Sequence, residues 1–144
     1  MITLNEVSTM TDADFRRRFE ALTLPAGSFS HEAHVRLAYV YLREHDLFGA
    51  LERYRTSLRR FASHHGAPGK YHETVTCALV ILIHERLTRM QRDQAEPVRW
   101  AAFADANPDL LRWLDGAFFD LYPRSILQSE LAREVFVLPP ATAT

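Results

Sequence analysis

An all-α fold is what this sequence predicts, on three observations. From residue 11 onward apolar residues recur at three- and four-residue spacing, capping residues head most of the periodic runs, and no stretch alternates with period two between turn residues. At 144 residues, 47% of them hydrophobic, the chain suffices for one core and not for two. The expected architecture is an up-down helical bundle with a central buried helix and shorter C-terminal helices. It forms a single domain over 1–138, followed by a loose tail over 139–144.

The elements follow in order. Thr11 with Asp12 and Asp14 reads as an N-cap and acidic first turn, opening a helix to about Leu22 that Pro25-Ala-Gly27 stops. Ser30 caps a second helix, His31 to Glu44, with Val35, Ala38, Tyr41 and Leu42 as its apolar stripe. Asp46 starts a third, to about Ser63, broken by Gly66-Ala-Pro68-Gly69. A fourth, Tyr71 to Met90, is apolar almost all round between Cys77 and Ile83, which predicts a central position with Leu79 and Leu82 in the core. Pro97, Pro108 and Pro123 punctuate the remainder into three short helices at about 97–104, 108–119 and 124–135, with Asn107-Pro108 as an N-cap and first residue.

Composition excludes several functions. Seventeen basic against eighteen acidic residues leave a net charge of -1, so the chain as a whole has no claim on nucleic acid. The basic stretch Arg53 to Arg60 and the run Arg16-Arg17-Arg18 read as solvated helix faces. The longest apolar run, Cys77 to Ile83, is far short of a bilayer span, so no membrane is expected. One cysteine, Cys77, excludes an internal disulfide, and without a signal-peptide pattern a reducing cytoplasm is expected. Gly66 to Lys70 lacks the first glycine, the Ser/Thr and the preceding strand of a P-loop, and no G-x-S-x-G elbow is present.

What chemistry the sequence offers lies in its seven histidines. Short connections at 45–46 and 65–70 make helices two to four antiparallel neighbours, so helices two and four start at the same end. His31 and His34, His64 and His65, and His72 with Glu73 then converge there. His45 belongs at the other end, and His84 falls roughly 18 Å away along helix four. His31 and His34 stand one turn apart, close enough to hold one ion, and His72 with Glu73 or Glu32 would complete a mononuclear iron, copper or zinc site. His72-Glu73 and His84-Glu85 begin an H-E-x-x-H pattern, but Thr76 and Thr88 replace its second histidine, so a zinc-protease reading is rejected. The positive ends of the helices disfavour a cation, an effect that Glu32 and Glu73 offset.

Lys70 is the only lysine in the chain and directly precedes Tyr71-His72-Glu73-Thr74. A lysine there can anchor a substrate carboxylate or phosphate, or act as a base. The leading expectation is therefore a metal-dependent small-molecule enzyme. His31, His34 and His72 are its metal ligands, Glu73 its general base, and Lys70 or Tyr71 its substrate anchor. The alternative is a metal-free helical module that holds an anionic small ligand on positive helix ends and Lys70. Oligomeric state, homo-oligomer included, is not readable from the sequence.

Phe29-Ser-His31-Glu-Ala-His34-Val-Arg-Leu-Ala, Gly69-Lys70-Tyr71-His72-Glu73-Thr74, Ile126-Leu127-Gln-Ser129 and Ala132-Arg133-x-x-Phe136-Val137 together resemble a family of small, uncharacterised bacterial all-helical proteins. The likeness covers about 29–138 and implies a stand-alone bacterial domain. It carries no catalytic role to any residue here, and the ending Val137-Leu-Pro-Pro departs from the acidic ending of the pattern.

Overall fold

A computed structural model describes residues 4–112 and 120–141, and eight α-helices and no strand lie among them. None of these helices is long and apolar enough to cross a membrane. The fold is all-α, and the chain gathers into two compact units, Met1–Tyr71 and His72–Thr144.

The first unit holds α1 (Leu4–Thr9), α2 (Asp12–Glu20), α3 (His31–Glu44) and α4 (Leu47–His64), with single 3-10 turns at Ala26–Ser28 and Pro68–Lys70. The sequence's caps hold: Thr11, Ser30 and Asp46 accept the amide hydrogens of Asp14, Ala33 and Gly49. These bonds satisfy donors that a helix start leaves open. α2 ends at Glu20, two residues short of the expected Leu22, and its stop is made before the chain reaches Pro25. Leu22 takes the left-handed conformation at φ 61°, with Leu22 N–H donating to Phe19 O and Thr23 N–H to Arg18 O. The same bond pair ends α4, where Gly66 at φ 72° supplies the turn without a Cβ penalty. A leucine is a poor stop signal by composition, so the sequence hides the first case and announces the second.

The helix α1 was not anticipated either, and Arg36 explains it. This buried guanidinium donates to Val7 O and Met10 O, pairs with Asp12 Oδ1 at 3.0 Å, and lies 5.0 Å from the centre of the Phe15 ring. One side chain of α3 thereby satisfies the carbonyls where α1 gives way to α2. The core between α2, α3 and α4 is aromatic, with Phe19 stacked on Phe61 at 4.7 Å and Phe29 against both. Its polar seam is Tyr41, whose hydroxyl donates to Glu20 and meets Ser57 Oγ at 2.8 Å, while Arg16 pairs with Glu20 and Glu44.

The second unit is built on α5 (Glu73–Arg92), followed by α6 (Trp100–Ala106), α7 (Arg124–Leu127) and α8 (Glu130–Glu134). The start of α5 corrects the predicted Tyr71: His72 is the N-cap, and helical geometry begins at Glu73. Leu79, Val80, Ile83 and Leu87 are buried, but Leu82 is only half-buried and Ile81 is 40% exposed, so α5 keeps a solvent side that its composition conceals. Arg86 forms a two-pronged pair with Asp109 at 2.6 and 2.7 Å and also reaches Asn107. Asn107 caps no following helix; its amide donates to Phe103 O and closes the end of α6, and residues 108–111 form turns. The predicted helix at 108–119, with Trp113, Phe118 and Phe119, runs outside the described residues from 113. The predicted helix at 124–135 is two pieces, because Ser129 caps α8 through Ala132 N–H.

Candidate functional site

The sequence directs attention to two helix starts, each carrying a histidine. At the start of α3 the capping side chain is Ser30, not a histidine. His34 is half-buried, its ring centre 4.0 Å from that of Phe29, and its Nδ1 lies 2.9 Å from Ser30 O. A carbonyl oxygen only accepts, so Nδ1 carries the proton and Nε2 holds the lone pair. Burial pushes the imidazole down to about 4, with a smaller push in the same direction from His31, so the ring is neutral at pH 7. Tyr54 fixes this turn from α4 by donating to His34 O at 3.0 Å, and burial holds its own phenol far above the usual range. Nothing in sequence spacing pointed to Tyr54 here.

His65, at the exit of α4, extends the same aromatic group. Its ring lies 4.4 Å from Phe61 and 5.0 Å from His64, and its Nε2 is buried without a hydrogen-bond partner. The paired histidines at a helix exit were the sequence signal for it.

At the start of α5 the capping residue is the histidine itself. Val75 N–H donates to His72 Nδ1 at 3.1 Å, which obliges Nε2 to carry the proton that it gives to Leu127 O at 2.7 Å. Both ring nitrogens are spent on backbone, and neither offers a lone pair to a metal in this conformation. Glu73 follows in the first turn, buried, with Cys77 Sγ 3.7 Å from its Oε1. Cys77 is the packed small residue that its apolar run predicts.

His31, His34, Lys70 and Tyr71 thus belong to the first unit and His72 and Glu73 to the second. Among the described residues no three His, Cys, Asp or Glu side chains form a group that could hold a metal ion. The predicted ligands His34 and His72 differ in their lone pairs: His34 keeps its lone pair on Nε2, whereas the lone pair of His72, on Nδ1, already accepts from Val75 N–H.

Lys70 ends the turn Pro68–Lys70, which packs on α4. Its side chain is exposed and makes no hydrogen bond or ion pair among the described residues. Tyr71, next in the chain, is half-buried under Arg59, whose guanidinium carbon lies 4.7 Å from the ring centre. An unpaired ammonium therefore neighbours a tyrosine that already carries a second cation on its face. Such a patch can take a carboxylate or phosphate as a point charge.

Comparison with protein-family models, with curated proteins and with solved structures finds no match for this chain.

Proposed function

We propose that the protein is a helical module that binds a small anionic molecule, a carboxylate or phosphate, at the turn Pro68–Lys70 and the residues beside it. The observation that carries this reading is Lys70, the chain's single lysine, exposed and without an ion pair next to a tyrosine held under Arg59. The ligand's charge pairs with the ammonium, and the Arg59 guanidinium over the ring of the next residue, Tyr71, is a second positive charge of the same unit. Gly69 has open space where a Cβ would be, so no neighbouring atom crowds the approach at that position. The compartment we assign is the bacterial cytoplasm, where a single reduced thiol such as Cys77 is ordinary.

Calorimetric titration of the full chain with inorganic phosphate and with succinate tests the reading. Lys70→Ala should weaken binding at least tenfold while moving stability by less than about 0.5 kcal/mol, because an exposed unpaired lysine contributes little to folding. Wild-type affinity in that variant, or no heat with either anion at millimolar concentration, overturns it.

A second reading, a metal-dependent small-molecule enzyme, is favoured by one observation: a neutral His34 with Nδ1–H on a backbone carbonyl and Nε2 free. That is the state in which imidazoles ligate metals. In this reading His34 would hold iron, copper or zinc, which would supply Lewis acidity or redox chemistry, and Lys70 or Tyr71 of the same unit would anchor the substrate. His34 is the ligand on which this reading rests. Near-stoichiometric metal in protein purified without chelator, lost in His34→Ala and kept in His84→Ala, would establish it over the first.

A further inference from the structure

The C-terminal part of the second unit is held in an unusual way. Thr74 Oγ1 donates to Val135 O at 2.8 Å and accepts from Val137 N–H at 3.0 Å, and Tyr122 donates to Val137 O at 2.7 Å. Just upstream, His72 holds Leu127 O. Every one of these bonds reaches the segment through its backbone. Its large apolar side chains do not anchor it: Leu131 is 62% and Leu138 73% exposed, and Val135 and Phe136 also face solvent. Ala132 alone is fully buried, with Ile126, Leu127 and Val137 half-buried. Among the described residues, backbone hydrogen bonds with little apolar burial of the segment's own large side chains are the pattern of a region that opens below the cost of global unfolding.

The helix that Thr74 belongs to carries a specific face. Thr74, Cys77 and Ala78 stand at i, i+3 and i+4, one face of α5, and α8 packs on that helix. Cys77 is buried, with Tyr122 in electrostatic reach and Glu73 Oε1 beside its sulfur. We infer that residues 128–138 form a strap that lifts locally from α5, with Thr74 as its latch, and gates access to the Glu73–Cys77 pair. The strap is independent of any ligand at Lys70. It makes solvent access to Glu73 and Cys77 a conformational event rather than a fixed property of the surface.

The chain's single thiol is its own reporter. Native protein is mixed with an aromatic disulfide reagent, and release of the reagent's thiolate by exchange with Cys77 is followed at rising sub-denaturing urea. A lifting strap gives a rate that hardly responds to low urea, since little surface is exposed. Thr74→Val, which deletes both latch bonds at constant shape, raises that rate roughly tenfold, and Thr74→Ser returns it toward wild type. Equal rates in wild type and Thr74→Val, or a rate that climbs with urea as steeply as global unfolding, overturn the strap. If Thr74→Val does not fold, hydrogen exchange on the wild type decides. A Val137 amide exchanging without urea dependence, while the Leu79 and Val80 amides exchange only with global unfolding, supports the strap. A shared urea dependence refutes it.

Discussion

The starts of α3 and α5 look alike in the sequence and differ in chemistry. Both bring a histidine to a first turn beside a glutamate, His34 near Glu32 and His72 before Glu73. At α3 a serine fills the capping position, so His34 rests on a single carbonyl and retains a lone pair. At α5 no serine, threonine or aspartate stands at the cap, and the imidazole takes the role, spending one nitrogen on Val75 and the other on Leu127. A histidine near a helix start is thus a candidate ligand only when another residue does the capping.

The largest expected effect that would test this contrast is acid sensitivity from His34. Its folded pKa of about 4 lies below the ordinary value of 6.5, so between these values the unfolded chain binds the extra proton. The stabilisation from keeping the ring neutral is complete above pH 6.5. It declines as pH falls and is gone below about pH 4, a loss of up to about 3 kcal/mol, reduced by whatever solvent reaches the half-buried ring. Urea unfolding at pH 7 and pH 4.5 checks it, and His34→Asn should flatten the difference; an unchanged slope in that variant would break the contrast.

Next in size is the cap itself. His72→Ala should cost about 1–2 kcal/mol by freeing the Val75 amide and Leu127 carbonyl, and His72→Ser should recover about half by restoring the cap alone. The matching change at the other helix, Ser30→Ala, should cost about 1 kcal/mol. Thermal unfolding of the three variants sharpens the comparison. Equal losses in His72→Ala and His72→Ser would show that the cap contributes nothing and that the bond to Leu127 carries the effect. Lys70→Ala, the smallest stability change, completes the series.

The candidate site was legible only in part. Histidine spacing singled out His34 and His72, and the uniqueness of Lys70 led to the turn where an unpaired cation lies. The tautomers were not legible, because they depend on Ser30 O, 2.9 Å from one ring, and on Leu127 O, fifty-five residues from the other. Spacing singles out Glu73 as a candidate base, but its burial beside Cys77 follows from how α5 is covered, which spacing along one helix does not encode.

By itself the sequence determined the all-α class and the extents of α2, α3 and α4 to within a residue or two, because caps and apolar periods are local and a helix's hydrogen bonds close within four residues. Of the C-terminal prolines, Pro123 directly precedes the short α7, whereas no helix starts at Pro97 or Pro108. The tertiary structure alone decided that α1 forms under Arg36, that Leu22 takes the left-handed turn, that Leu82 and Ile81 reach toward solvent, and that residues 135–137 lie clasped by Thr74 and Tyr122. Each of these depends on a partner distant in the chain or on which side of an element is covered, and a linear pattern records the residue but not the neighbour that sets its role.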